Sequence, residues 1–107
     1  MKYWSVVMAK LPAQAMALYP FMLFKNHTIE KDQRIIRHEQ IHFRQQIELL
    51  IVFFYLLYLF NYLANLLKYR NHEEAYYNIC FEREAYRNDH NLDYLTERKF
   101  FAWKNMI

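Results

Sequence analysis

The 107-residue chain contains no glycine and only two prolines, Pro12 and Pro20, both near its N-terminus. Tight turns that need a positive φ are therefore difficult to form, and nothing after Pro20 interrupts long helices. We expect a single domain over residues 1–107 that is mainly α-helical and belongs to the α+β class. Its helices should begin after about residue 25 and follow a small N-terminal β element.

The net charge is also small, and cysteine is almost absent. The net charge is only +3 and no dense run of lysine or arginine occurs, so we predict no nucleic-acid partner. A lone Cys80 excludes an internal disulfide and fits a reducing compartment. Residues 1–17 lack a charged segment followed by a long apolar core, so no signal peptide is predicted. The expected location is cytoplasmic or membrane-associated, and the oligomeric state stays open.

Three short segments precede the first long helix. Residues 2–9 suit a strand or an irregular apolar arm, and residues 10–19 suit a short helix or an extended arm. Residues 21–25 form an aromatic and aliphatic run that we interpret as a strand. A strand placed just before an active-site helix would be able to bind a substrate backbone as an added strand.

The sequence His38-Glu39-Gln40-Ile41-His42 has the pattern HExxH. It lies in a predicted helix whose start falls between Thr28 and Asp32, where either residue can cap the N-terminus. Two histidines four residues apart differ by about 40° around a helix, so both imidazoles can bind one metal ion. Glu39 can then reach a water molecule on that ion, as a general base would.

A long apolar run starts at Leu49 and extends through Leu67, in a chain that is 55% hydrophobic. At about 1.5 Å per residue, it would almost span a bilayer. Tyrosines and an asparagine recur within it at helical spacing, which favours one face packed against protein. These are Tyr55, Tyr58, Tyr62, Asn65 and Tyr69. The run is therefore either a buried core hairpin or a segment embedded in or attached to a membrane.

A catalytic zinc ion usually needs a third protein ligand. The downstream candidates are His72, Glu73, Glu74, Glu82, Glu84, Asp89 and His90. Residues 68–72 should bend the chain, residues 73–88 should form a helix, and residues 91–107 should add a final short helix that docks on the core. Glu82 reaches His42 only if the apolar run reverses near Asn61, because a straight helix would separate them by tens of ångströms. Glu82 and Glu84 point about 200° apart, so only one can face the metal.

HExxH followed by Glu82-Arg83-Glu84-Ala85 resembles the gluzincin zinc metallopeptidases, over roughly residues 34–88. The peptidases similar to CAAX prenyl proteases carry E-x-x-A-D on the second helix, and the beta-lactamase sensor-transducer peptidases carry E-x-x-C-D. The length is similar to that of the minigluzincins. The resemblance implies a minimal zincin-like domain with an active-site helix and a glutamate helix. Tyr86 stands where those families have Asp, so that carboxylate is missing or is supplied from elsewhere.

By this resemblance, His38, His42 and Glu82 bind Zn²⁺. Glu39 polarises the water and passes its proton to the leaving amine, so that a peptide or protein substrate is hydrolysed. The oxyanion would be stabilised in part by a further side chain, for which the candidates are Tyr76, Tyr86 and His90. Two glutamines beyond the second histidine, Gln45 and Gln46, would orient a ligand or line the cleft.

Simpler interpretations stand beside these. The histidines can be two surface residues on a charged helical turn, and Glu82 can be a solvated residue paired with Arg83 or Arg87. Glu84 is expected to be solvated or ion-paired, and Cys80 to be a small buried residue. Two other functions therefore remain: a non-catalytic zinc-binding helical module, and a small helical membrane protein whose HExxH is a coincidence.

Overall fold

The computed structural model of the protein describes residues 2–107. Three strands and six α-helices follow one another, and a 3-10 helix at Ala102–Met106 ends the chain. The strands are β1 (Trp4–Val7), β2 (Ala15–Leu18) and β3 (Phe21–Phe24), and the helices are α1 (His27–Glu30), α2 (Gln33–Glu48), α3 (Val52–Tyr69), α4 (His72–Tyr77), α5 (Cys80–Asn88) and α6 (Tyr94–Glu97). The structure is 58% helix and 11% strand, which confirms the predicted mainly helical α+β fold.

The three strands form one sheet in the order β1-β3-β2, with β1 parallel and β2 antiparallel to β3. Its inner face packs on α2, where Ala17, Met22 and Phe24 meet Ile36 and Phe43 in one core cluster. The strand predicted at residues 21–25 is confirmed as β3. The prediction that this strand adds a substrate strand is wrong, because β3 is the middle strand and both of its edges are already paired.

The HExxH sequence lies on α2, as predicted. The Asp32 side chain caps this helix by accepting hydrogen bonds from the backbone N–H groups of Arg34 and Ile35 at 3.0 and 3.2 Å. Such a cap satisfies donors that the first helical turn leaves unpaired. The predicted helix start between Thr28 and Asp32 is therefore confirmed at its later end, while Thr28 lies in the separate short helix α1.

The reversal predicted near Asn61 is wrong. Helix α3 runs unbroken through this position, and the chain turns instead between α2 and α3, whose axes differ by 111°. Leu50 and Ile51 make that turn with φ values of 56° and 64°, and Arg70 ends α3 at 53°. Asn61 serves another purpose, because its side chain accepts a 2.8 Å hydrogen bond from the N–H of Cys80 at the start of α5.

The helix predicted over residues 73–88 is broken into two. Asn71 caps α4 through the N–H of Glu74, which places the predicted bend at residues 68–72 correctly. Ile79 then adopts an extended conformation and is fully buried, so that α5 starts in a new direction. The break exists because Ile79 and Phe81 pack with Phe54 of α3 in a second core cluster.

Of the two interpretations of the apolar run, the buried core hairpin is wrong. Phe54 is the one fully buried residue of α3, and most of its other apolar side chains are exposed. The semi-polar stripe does face the protein as predicted, since hydroxyl or amide groups of Tyr55, Tyr58, Tyr62 and Asn65 all hydrogen-bond to other elements.

In residues 2–107, no single helix is both long and apolar enough to cross a membrane. The pair formed by α2 and α3 passes that test on length and composition, although the two helices are sharply bent at their junction.

The C-terminal segment docks on the core, as predicted. The Trp103 ring, in the 3-10 helix, lies 5.1 Å from the Phe81 ring between centroids. Arg98 inserts a nearly buried guanidinium between Glu48 of α2 and Glu84 of α5. The last fifteen or so residues therefore join the two helices that carry the predicted site.

Candidate metal centre

Three predicted ligands come together in the buried space between α2 and α5. The Nε2 atoms of His38 and His42 are 3.2 Å apart, and each lies 3.1 Å from Oε1 of Glu82. In a tetrahedral zinc site with bonds of about 2.0–2.1 Å, two ligand atoms lie about 3.3 Å apart. The three atoms therefore have nearly the spacing of three corners of a zinc coordination shell. In the described part of the chain, residues 2–107, no other group has metal-ligand spacing.

The ring orientation of His38 is set by Asp89. Nδ1 of His38 lies 3.0 Å from Oδ2 of Asp89, while Oδ1 accepts a bond from Arg34 at 3.1 Å. A carboxylate only accepts hydrogen bonds, so Nδ1 of His38 carries the proton. Nε2 then presents a lone pair to the centre. The resemblance led us to expect a carboxylate at the position of Tyr86, and the carboxylate that contacts His38 is instead that of Asp89, three residues further on.

His42 is oriented in the same way by an amide. The Gln45 side-chain nitrogen donates to the backbone oxygen of Phe81 and to Glu84, both at 3.0 Å, so its oxygen must face His42. That oxygen lies 2.7 Å from Nδ1 of His42, which therefore carries the proton. The Nε2 lone pair of His42 is then also directed at the centre. The expectation that Gln45 orients a ligand fits this contact.

The carboxylate of Glu82 is held by a tyrosine as well as by the two histidines. Its second oxygen accepts a 2.6 Å hydrogen bond from the hydroxyl of Tyr58. Burial by itself raises the pKa of Glu82, but the close contacts with His42 and His38, above all the charge that His42 carries when protonated, outweigh it. The pKa of Glu82 therefore lies below its usual value. Glu82 is ionised at neutral pH and its Oε1 faces the two nitrogens.

When His42 is neutral, two nitrogen lone pairs and a carboxylate oxygen thus converge with no proton donor of the protein between them. Burial lowers the pKa of His42, but the charge and hydrogen bond of Glu82 more than offset this and raise it to about 9. In the ion-free protein a proton on His42 consequently relieves the repulsion. A divalent cation would replace that proton and satisfy all three groups at once.

Glu39 lies beside this cluster and is 7% exposed. Burial raises the pKa of Glu39, and this rise is partly offset by the charges of His42 and His38 and by the backbone N–H of Ala17. Glu39 lines both of the cavities that adjoin the cluster. A carboxylate with a raised pKa at this place can accept a proton at neutral pH and release it again.

The two cavities meet at Glu39 and Tyr76 and differ in character. The smaller, of about 270 Å³, contains His42 and Glu82 and is walled mainly by apolar and aromatic residues such as Met16, Phe54 and Tyr55. The larger, of about 630 Å³, contains His38 and is lined by polar groups that include Asp32, Arg34 and His72. Ala13 and Ala15, on the approach to and start of β2, line both cavities.

Two of the predicted oxyanion-stabilising residues face the cleft. The hydroxyls of Tyr76 and Tyr86 are 3.1 Å apart, and the Tyr86 ring packs 4.4 Å from the ring of His38. Burial raises the pKa of both tyrosines, that of Tyr86 to about 12, so both remain hydrogen-bond donors. The third candidate, His90, is exposed and lines neither cavity.

The other candidate third ligands are engaged elsewhere or exposed. Asp89 binds the far nitrogen of His38, and His72 accepts or donates a 2.8 Å hydrogen bond with Tyr62. Glu84 is fully buried and ion-paired with Arg98. The expectation that it is solvated is therefore wrong, whereas the alternative expectation of an ion pair is confirmed. Glu73, Glu74 and His90 are exposed.

The roles of two residues at the site, Tyr58 and Asp89, were not predicted from the sequence. Tyr58 was assigned to the packing stripe of α3, and its hydroxyl reaches the predicted ligand Glu82. Asp89 was considered as a direct ligand, whereas it contacts Nδ1 of His38, the nitrogen that faces away from the cluster. The only sequence signal for Tyr58 was its place in the stripe.

Gln46 ties α2 to the sheet by bonding Ala17 and Tyr19.

Comparisons of the sequence with protein-family models and with curated proteins, and of the fold with solved structures, found no match. Inference about function therefore depends on the geometry of the cluster and on the residue pattern.

Proposed function

We propose that the protein is a small zinc-dependent metallopeptidase of the gluzincin type, with His38, His42 and Glu82 as ligands and Glu39 as general base. The observation that carries this proposal is the orientation of the ligands. Both histidines are held at Nδ1 by acceptors, so both Nε2 lone pairs face Glu82. Surface histidines on a charged turn would have no reason to be oriented from behind in this way.

The donor set fits zinc. Two imidazole nitrogens and one carboxylate oxygen are ligands that Zn²⁺ takes in catalytic sites, with the fourth position open. When bound, zinc supplies a Lewis acid that lowers the pKa of a water molecule toward neutrality. The cluster adjoins both cavities, which leaves room for a substrate at the open position.

The protein's own groups have separate tasks in hydrolysis. Glu39 accepts the proton of the attacking water and passes it to the nitrogen of the leaving amine, so the peptide C–N bond breaks while a C–O bond forms. The hydroxyls of Tyr76 and Tyr86 are donors beside the cleft and stabilise the negative charge that develops on the carbonyl oxygen. Tyr58 and Asp89 keep Glu82 and His38 in place.

An extended substrate in the cleft would lie beside β2, which is an edge strand of the sheet. The backbone oxygen of Gln14, just before β2, accepts a hydrogen bond from the N–H of Lys25, just after β3. In the alternating antiparallel pattern, Ala15 and Ala17 therefore direct their backbone polar groups to the outer edge of β2. The backbone oxygen of Ala17 accepts hydrogen bonds from Gln46 and Tyr55, and its backbone N–H bonds Glu39. Ala15, by contrast, lines both cavities. A peptide backbone in the cleft is therefore expected to pair with β2 near Ala15.

Metal content and hydrolysis test the proposal separately. The full chain should bind one equivalent of zinc, and His42→Ala should lose it. Glu39→Gln should keep the metal and abolish cleavage of a peptide library analysed by mass spectrometry, whereas the matched exposed substitution Glu73→Gln should change neither. Absence of stoichiometric zinc from the wild type would refute the metal centre. Bound zinc without any cleavage would identify a non-catalytic zinc-binding module instead.

A further inference from the structure

The sheet carries apolar side chains on both faces. Alternate residues point inward to α2, and the remaining ones point away from the protein. The outward set is 37–66% exposed and consists of Trp4, Val6, Met16, Leu18 and Phe21. A sheet that faces water on one side normally alternates apolar and polar residues, with the polar ones outside. The outer face of this sheet therefore has the composition of a covered surface.

Helix α3 exposes a second apolar area. Val52, Phe53 and Phe60 are 64%, 56% and 65% exposed. Other exposed apolar side chains of this helix are Leu56, Leu57, Leu59, Leu63 and Leu67. A helix in contact with water usually has charged residues on its outer face, but the first charged residue after Val52 is Lys68.

The sheet and α3 adjoin along the edge of β2. The hydroxyl of Tyr55 donates a 2.8 Å hydrogen bond to the backbone oxygen of Ala17, which ties the first turn of α3 to β2. Met16, which belongs to the outward face of the sheet, lines the same cavity as Tyr55 and Tyr58. We refer to the exposed apolar residues of the outer sheet face and of α3 together as the apolar surface.

Charge separates this surface from the rest of the protein. All eleven Asp and Glu residues lie within residues 30–48 and 73–97, so residues 2–29 and 49–72, which form the apolar surface, contain none. The same two segments contain five basic residues, all exposed: Lys2, Lys10, Lys25, Lys68 and Arg70. The two chain segments that form the apolar surface thus carry cations and no acidic residue, although the whole chain has a net charge of only +3.

We propose that the apolar surface docks the protein on an anionic phospholipid bilayer, on which it lies without crossing it. Aromatic and aliphatic side chains enter the boundary between headgroups and acyl chains, and the lysines and arginine of the same two segments face anionic headgroups. A second copy of the chain fits less well, because a symmetric contact would oppose two acid-free, cationic surfaces. The sharp bend between α2 and α3 suits a surface position.

Flotation with lipid vesicles tests this proposal on the full chain and needs no peptide substrate, so its outcome is independent of hydrolysis. The protein should float with vesicles of phosphatidylcholine and phosphatidylglycerol, less with pure phosphatidylcholine, and less again at high salt. Phe53→Ser combined with Phe60→Ser should weaken binding at least about tenfold, since each change removes a large apolar group from the lipid. The matched control, Leu92→Ser with Ile107→Ser, changes two exposed residues outside the surface and should bind as the wild type does.

Trp4 gives a second readout. It is 66% exposed, so its fluorescence should shift to the blue on anionic vesicles, and Trp4→Phe should remove the shift. The proposal is overturned if the folded wild type does not float with anionic vesicles, or if the Phe53/Phe60 variant floats equally well. It is also overturned if sedimentation shows a wild-type dimer that this variant dissociates while neither protein binds vesicles. That result would assign the surface to a second copy.

Discussion

Nδ1 of His38 lies 3.0 Å from Oδ2 of Asp89, although 51 residues separate the two in sequence. This contact determines which nitrogen of His38 is available to a metal ion. It also joins the first turns of α2 to the end of α5, where Asp89 is the C-cap residue.

Asp89→Asn should weaken zinc binding by about 10–100-fold, the usual effect of removing the carboxylate behind a ligating histidine. The amide leaves the proton position on His38 unspecified and lowers the basicity of Nε2. Competition with a chromophoric chelator measures the affinity. Asp93→Asn, an exposed acid in the following turn, is the control and should leave the affinity unchanged. Equal affinities for the two variants would mean that Asp89 does not orient His38.

Gln45 and Gln46 are adjacent, and they should respond differently to the same substitution. Gln45→Leu removes the acceptor behind His42 and should lower zinc affinity by about tenfold or more. Gln46→Leu removes the bonds to Ala17 and Tyr19 and should mainly lower the free energy of unfolding, by about 1–3 kcal/mol. Chelator competition and urea denaturation separate the two effects. The assignment fails if the affinity losses are reversed.

Zinc affinity should rise with pH. The pKa of His42 is raised to about 9 in the ion-free protein, so below that pH a metal ion must displace its proton. With one proton displaced, the apparent affinity increases by about tenfold per pH unit and levels off above the pKa. For the ion-free protein, the stabilisation from protonated His42 is complete below about pH 6.5 and is lost as the pH rises through 9.

Titration calorimetry in buffers of different ionisation enthalpy counts the protons released on zinc binding. About one proton should be released near neutral pH. An affinity that stays constant from neutral pH to well above it would contradict a protonated His42.

Arg98→Met should destabilise the protein by about 3–5 kcal/mol, because it leaves two buried carboxylates without their cation. The side chains of Arg98, Glu48 and Glu84 are at most 2% exposed, and Arg98 bonds both acids. Chemical denaturation measures the loss, with the exposed Lys99→Met as control. If both substitutions have similar small effects, the ion cluster does not hold the C-terminal segment.

Leu50→Gly should raise the free energy of unfolding by about 1 kcal/mol, because a left-handed conformation costs a branched side chain more than it costs glycine. Leu50 has a φ of 56° and is 72% exposed, so little packing is lost. Leu50→Ala removes the same side chain without relieving the backbone and is the matched control. Thermal denaturation of the two variants should place the glycine variant higher, and the reverse order would contradict the prediction.

The fold was predictable where it depends on local pattern and less so where it depends on packing. The cap at Asp32 and the helix through His38 and His42 follow from residues within one or two turns of each other. The turn at Leu50 and Ile51 does not, because the sequence has no glycine there and the cost of a positive φ is offset by distant contacts. The same reason explains why the expected reversal at Asn61 was misplaced.

The candidate site divides in the same way. Sequence by itself determined that His38, Glu39 and His42 share one helix, and the resemblance to gluzincins favoured Glu82 over Glu84 as their partner. Only the tertiary structure decided that Asp89 orients His38 and that Tyr58 holds Glu82. Helical spacing is set by hydrogen bonds four residues apart and can be read along the chain. Contacts across 24 to 51 residues depend on how the helices pack, which no local pattern records.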